Sequence, residues 1–117
     1  MKLVTKELEN KTPTLYEQDG KGEEAIVYFK LFAPWTSWTW YVTEYDPGQR
    51  LCFGLVVGQE TELGYFSLEE LESVNGPFGL KIERDLYFSP TSLGECRALH
   101  EPKREPELTT EEAAFNA

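Results

Sequence analysis

Three runs in the middle of the chain alternate their side chains with period two, and short turn signals separate them. They are AIVYFKLFAP (Ala25 to Pro34), WTWYVTEY (Trp38 to Tyr45) and LCFGLVVG (Leu51 to Gly58). Alternation over this length is the signature of a strand with two distinct faces. Pro34 ends the first run, Thr36-Ser37 supplies a turn, and Asp46-Pro47-Gly48-Gln49 places Pro and Gly where a tight reversal prefers them. Consecutive strands with such short connections can only pair antiparallel.

Parity assigns the faces. Val27, Phe29 and Leu31 share one side of the first strand, and Ile26, Tyr28, Lys30 and Phe32 share the other. In the second, Trp38, Trp40, Val42 and Glu44 point one way, and Thr39, Tyr41, Thr43 and Tyr45 the other. In the third, Leu51, Phe53, Leu55 and Val57 form one face. Gly54 and Gly58 fall on the opposite face, where a neighbour is expected to approach the backbone closely.

The flanks read as helices and one more strand. Residues 3–10 carry Leu3, Val4 and Leu8 at helical spacing, and Pro13 stops that helix. Residues 18–24 form a polar turn, and residues 59–66 a loop or short strand. Ser67 with Glu70 three residues on is a capping box. It starts a helix with Leu68, Leu71 and Val74 as its apolar stripe, and Asn75-Gly76-Pro77 ends it. Leu80 to Phe88 alternates as a last strand, and the segment after Ser89 holds one more helical turn. The expected class is α+β, a four- or five-stranded, mostly antiparallel sheet with two or three short helices.

At 117 residues the chain has the length of one domain and can bury a core without staples. Residues 1–100 are expected to be that domain, and residues 101–117 an acidic Pro/Glu-rich tail with little to bury. Cys52 and Cys96 form no CxxC and read as reduced thiols in or near the core. The N-terminus has no apolar signal region and no run is long enough to span a bilayer, so the expected location is cytoplasmic, away from membranes.

The net charge is −10, from 21 acids and 11 bases. Taking out the tail's five acids and two bases leaves −7, so the acidity belongs mainly to the domain. Direct binding to a nucleic-acid backbone needs clustered cations, and this balance points the other way, so no direct nucleic-acid partner is expected. An acidic domain is instead drawn to basic grooves on other proteins.

Function candidates come from two constellations. Between residues 44 and 72 seven acids face a single base, Arg50. Glu44, Asp46, Glu60, Glu62, Glu69 and Glu70 read as a solvated face, as a metal site lacking the tight Asp/Asn/Gly loop that hard cations prefer, or as a surface that occupies a basic groove. Trp35, in the turn after Pro34, is expected to be exposed, and with Tyr65 to anchor such a contact. Trp38 and Trp40 beside Val42 read first as core. Glu44 on their face then needs a partner. Arg84, on the apolar face of the last strand, is the candidate, either as a structural strut or as part of a ligand site. In the latter case Arg84, with Glu44 as orienter, faces an anionic group and Trp38 or Trp40 stacks on a base.

Enzyme signals are thin. His100 is the only histidine and lies at the domain's end, and no nucleophile elbow, zinc-protease motif or phosphate loop occurs. Neither catalysis nor a cofactor or metal is expected.

Several runs resemble a known family. W-x-x-W-x-W-Y-x-T-E-Y-D (Trp35 to Asp46), C-F-G (Cys52 to Gly54), G-x-E-x-E-L-G-Y-F-S-L-x-E-L (Gly58 to Leu71) and I-E-R-D-L-Y-F (Ile82 to Phe88) are similar to the bacterial domain-of-unknown-function family twenty-nine fifty-eight. The match covers about residues 1–92. The resemblance implies a stand-alone small protein often carried on plasmids, phages and other mobile elements, and it brings no catalytic residues. Acidity joined to that setting gives the leading expectation, a non-enzymatic inhibitor of a host defence nuclease complex, of the anti-CRISPR or anti-restriction kind. The alternative is a small-ligand protein for a nucleotide signal.

Overall fold

The computed structural model describes residues 2–101. The expected tail therefore lies outside the described residues except for Glu101. Seven strands follow in chain order: β1 (Ile26–Val27), β2 (Phe29–Phe32), β3 (Thr39–Asp46), β4 (Leu51–Val57), β5 (Thr61–Ser67), β6 (Glu83–Arg84) and β7 (Thr91–Ser92). Three six-residue helices accompany them: α1 (Lys6–Lys11), α2 (Leu68–Ser73) and α3 (Leu93–Ala98). The main sheet is antiparallel with five strands in the order β5-β4-β3-β2-β6, and β1 pairs with β7 in a second, two-stranded sheet. The fold is α+β, as the alternation implies.

Both faces of the main sheet are covered, so β3 at its centre is buried along nearly its whole length. On one face Phe29, Leu31, Trp40, Val42, Tyr45 and Cys52 meet Leu3, Val4, Ile82 and the inner residues of α2, Leu68 and Leu71. On the other, Tyr41, Leu55 and Val57 meet Val27, Ala25 and the inner residues of α3, Leu93 and Cys96. Val27 thus leaves the face of Phe29 and Leu31, because the strand is interrupted at Tyr28 and β1 turns to pair with β7.

Each helix is short and held by a side-chain cap. Thr5 Oγ1 accepts from the Leu8 amide at 3.2 Å, Ser67 Oγ from the Glu70 amide at 3.2 Å, and Ser92 Oγ from the Glu95 amide at 3.2 Å. The first helix starts at Lys6, later than the spacing of Leu3 and Val4 suggests. Those two residues are buried in a bend that leads into it. The expected strand from Leu80 to Phe88 contracts to Glu83–Arg84, with Leu86 and Tyr87 exposed.

A β-bulge controls the chemistry of β3. Val42 pairs with Gly54 but Glu44 with Phe53, so Thr43 is the extra residue and every side chain after it changes face. Tyr45 joins Trp40 and Val42, while Glu44 turns to the side of Phe53. Gly54 sits where the bulge brings strands together: a Cβ there would lie 1.8 Å from the Tyr41 carbonyl oxygen. Gly58 fits the same expectation, for the Trp38 indole lies across it at 2.4 Å from such a Cβ.

Both cysteines are free and buried, and burial pushes the Cys52 thiol up to about 12 and the Cys96 thiol up to about 11. The end of α3 is tied down by His100, whose Nε2 lies 2.6 Å from the Tyr41 hydroxyl. Burial first, and then the Lys30 charge, lower the His100 pKa, so the folded protein resists a proton that the unfolded chain accepts. Stability should be flat above the ordinary histidine value of about 6.5 and fall as pH drops below it toward the lowered folded value. Urea midpoints on either side of that value should show this loss in the wild type and a smaller one in His100→Phe.

Candidate functional site

The sequence-derived candidates do not form one site. Glu44 is the most altered. It is 2% exposed. Its Oε1 accepts from the Tyr16 amide at 2.9 Å and its Oε2 from the Gln18 amide at 2.7 Å. Gln18 completes the plug: its Nε2 donates to the Thr43 and Ile26 carbonyls at 2.7 and 2.8 Å, and its Oε1 accepts from the Ile26 amide at 2.7 Å. Glu44 therefore anchors the loop before β1, and it takes no part in an exposed acidic surface.

The expected Glu44–Arg84 pair does not form. The bulge puts Glu44 on the face opposite Trp40, whereas Arg84 pairs with Leu31 and so stays on the tryptophan side. Arg84 Nη1 donates to the Lys2 and Leu3 carbonyls at 2.6 and 2.8 Å, fastening the N-terminal segment to the edge of the sheet. It also lines an open groove of about 420 Å³ with Lys30, Phe32 and Asp85, a lining that includes neither Trp38 nor Trp40. Asp46 is a turn residue, its carboxylate accepting from the Gly48 amide at 2.9 Å and the Gln49 side chain at 2.7 Å.

The tryptophans exchange their expected roles. Trp35 folds back half-buried onto Gly76 and the core of the α2 face. Trp38 is 40% exposed and stacks at a tilt on Trp40, which is 8% exposed, with ring centroids 5.9 Å apart. The loop explains the exchange. Ala33 donates its amide to the Trp38 carbonyl at 3.0 Å, so Trp38 opens the sheet and Trp35 lies in the connection between β2 and β3.

The remaining candidates gather around β5. Trp40 pairs with Val56 and Val56 with Glu62, so indole, valine and carboxylate share a face. Trp38, Val56, Gln59, Glu60 and Glu62 line a groove of about 400 Å³ at that end of the sheet. Glu60, by accepting a hydrogen bond from the protonated Glu62 carboxyl and then by its charge, holds the Glu62 pKa above its ordinary value. The two acids crowd one another at the rim. Glu69 and Glu70 are exposed on α2, directly after β5, while Glu72 is tied to Arg50. None of the ion pairs among the described residues uses Glu60, Glu62, Glu69 or Glu70.

Tyr65 stands on the opposite face of β5, 51% exposed, with its ring 4.8 Å from that of Phe53. Leu63 beside it is 46% exposed, and a hydrogen bond that the Tyr65 hydroxyl donates to Tyr16 raises the Tyr65 pKa. Gln18, Val56, Gln59 and Leu63 were not singled out by sequence. The alternation of Glu62, Leu63 and Tyr65 was the available signal for Leu63 once the segment is a strand. No sequence pattern marks Gln18, whose partners lie on β1 and β3.

Among the described residues no group of three or more His, Cys, Asp and Glu side chains is placed to hold a metal ion. No helix there is long and apolar enough to cross a membrane. The family model described as "Protein of unknown function (DUF2958)" matches residues 3–94. The chain belongs to this family. The match takes in every element from α1 through the start of α3, and thus the whole groove around Trp38. No curated protein and no solved structure matches the chain.

Proposed function

We propose that this family member is a non-enzymatic binding protein whose acidic, tryptophan-edged face engages a basic, nucleic-acid-handling surface of another protein. The nuclease complexes of host defence, of the CRISPR and restriction kinds, are the first partners to test. The observation that carries the reading is the groove of Trp38, Glu60 and Glu62. There an exposed indole adjoins two carboxylates that repel each other, and no described residue forms an ion pair with either. A guanidinium or ammonium group seated there would relieve the repulsion, donate charge-assisted hydrogen bonds to both acids and lie against the indole face. Glu69 and Glu70, exposed on α2 after the far end of β5, add negative charge that would steer a basic partner before contact.

Three of the side chains that could do acid–base or nucleophilic work, Cys96, Tyr41 and His100, are buried or engaged within the fold. Burial raises the Cys96 thiol to about 11 and the Tyr41 hydroxyl to about 12, and His100 is engaged with Tyr41. This supports a binding role over a catalytic one.

The test is inhibition of DNA cleavage by purified defence nuclease complexes, with the wild type compared with the triple variant Glu60→Lys, Glu62→Lys, Glu69→Lys. These positions are exposed, so the variant should fold and melt like the wild type. It should lose inhibition by about tenfold or more, and added salt should weaken the wild type in the same direction. Equal inhibition by the triple variant would remove the acidic face from the mechanism.

A further inference from the structure

The two ends of the β4–β5 ladder fix which way each backbone group of β5 points. The Leu68 amide donates to the Arg50 carbonyl at 3.0 Å, and the Gly58 amide donates to the Glu60 carbonyl at 3.0 Å. The register between them is unbroken, Leu51 opposite Ser67 through Val57 opposite Thr61. In an antiparallel ladder hydrogen-bonded pairs alternate with non-bonded ones. The even-numbered residues of β5 therefore bond to β4, and Thr61, Leu63, Tyr65 and Ser67 turn their N–H and C=O groups to the outer edge. Among the described residues no strand pairs with that edge.

Natural sheets blunt such an edge by keeping it short or by placing Pro, Lys or a bulge on it. The opposite edge follows the rule, since β6 has only two residues. β5 has seven residues, TELGYFS, without Pro, Lys or a bulge. Its two faces also differ. Glu62, with Glu60 just before the strand, lies on the Trp38 side, while Leu63 and Tyr65 lie on the other side and are exposed.

We propose that β5 is a strand-addition site that takes an extended segment of a protein partner in which basic and apolar residues alternate. Backbone pairing to Thr61, Leu63, Tyr65 and Ser67 holds the segment. Its basic side chains meet Glu60 and Glu62, and its apolar side chains cover Leu63 and Tyr65. A second copy of this chain fits less well, because it would bring the same acids to the shared edge. The inference rests on the acidic-binder reading and specifies how the partner is held.

The probe is a synthetic peptide of about nine residues alternating arginine and valine, long enough to span the seven of β5. Its control alternates arginine and proline, with equal charge and half its amide donors removed. Binding to the full chain and exchange of the four outward amides are measured by NMR. The arginine–valine peptide should bind at least about tenfold tighter than the control and slow exchange at Thr61, Leu63, Tyr65 and Ser67. Leu63→Pro removes an outward N–H and no ladder bond, so it should abolish the difference while the ladder to β4 persists.

Equal binding of the two peptides, no binding of either, or unchanged amide exchange at saturation would overturn strand addition. Outward amides already protected without peptide would overturn it too, in favour of the chain's own residues or, if protection rises with concentration, a second copy. The parent reading fails separately: it falls if Glu60→Lys with Glu62→Lys leaves peptide binding unchanged. It stands without strand addition if that pair abolishes binding and Leu63→Pro does not.

Discussion

Replacing Gly54 by alanine should come close to unfolding the protein, while the same change at its cross-strand partner Gly64 should leave stability almost untouched. The two glycines face each other in the β4–β5 ladder. A Cβ at Gly54 would lie 1.8 Å from the Tyr41 carbonyl oxygen and 2.8 Å from its carbonyl carbon, both backbone atoms at the bulge of β3. No rotamer change can make room there. The strand must shift, and β3, buried along most of its length, cannot move without disturbing both cores. The expected cost is about 4 kcal/mol or more, at the exceptional end for one substitution. That approaches the whole stability of a typical small domain, about 5–15 kcal/mol. At Gly64 nothing lies within 4 Å of the added methyl, so a change within about 0.5 kcal/mol is expected. Urea unfolding of the two variants side by side checks both, and similar midpoints would show that the bulge is placed wrongly.

The second large effect is expected at Glu44. Its carboxylate holds the Tyr16 and Gln18 amides, and Tyr16 has a left-handed φ of 73° that a side chain adopts only when it is held there. Glu44→Ala removes the acceptor of two amides, one of them fully buried. Each unsatisfied donor costs about 1–3 kcal/mol, so a total of roughly 3–5 kcal/mol is expected. Glu44→Gln keeps one acceptor oxygen and should cost less. The loss should also be local at first: amide protection should fall at Gln18 and Ile26, the other members of the network, before the α2 face responds. If Glu44→Ala instead left stability unchanged and weakened partner binding, Glu44 would belong to the acidic surface after all.

The sheet is legible in the sequence because its signal is local. Period-two alternation and the Asp46-Pro47-Gly48 turn are enough to place β2, β3 and β4, and Ser67 with its stripe of Leu68 and Leu71 is enough to place α2. What stays hidden depends on two strands at once. The bulge at Thr43 is a property of the register between β3 and β4, and strict parity along β3 carries Glu44 to the wrong face. The break at Tyr28 moves Val27 in the same way, because β1 finds a partner in β7, which parity within one run does not reveal. The glycines were the better witness: Gly54 and Gly58 mark close approaches that the fold realises at the bulge and under Trp38.

The candidate site was legible in its composition and not in its arrangement. The excess of acids from Glu44 to Glu72 is real, yet Glu44 is buried, Asp46 closes a turn and Glu72 meets Arg50, which leaves Glu60, Glu62, Glu69 and Glu70. Trp38 replaces Trp35 as the exposed tryptophan because the closure between Ala33 and Trp38 sets where the loop ends. That placement is a tertiary fact, and residue type alone carried no sign of it.

The most direct measurement of the central claim is a paired capture from bacterial lysate, at low and high salt. It uses tagged wild type and the variant with Glu60, Glu62 and Glu69 changed to lysine. Thermal melts run alongside to establish that both are folded. A nuclease or nucleic-acid-handling protein recovered by the wild type at low salt, reduced at high salt and absent from the variant is the expected result. The same protein recovered equally by both would contradict an acidic recognition face, and so would a wild-type lane that is empty at both salts.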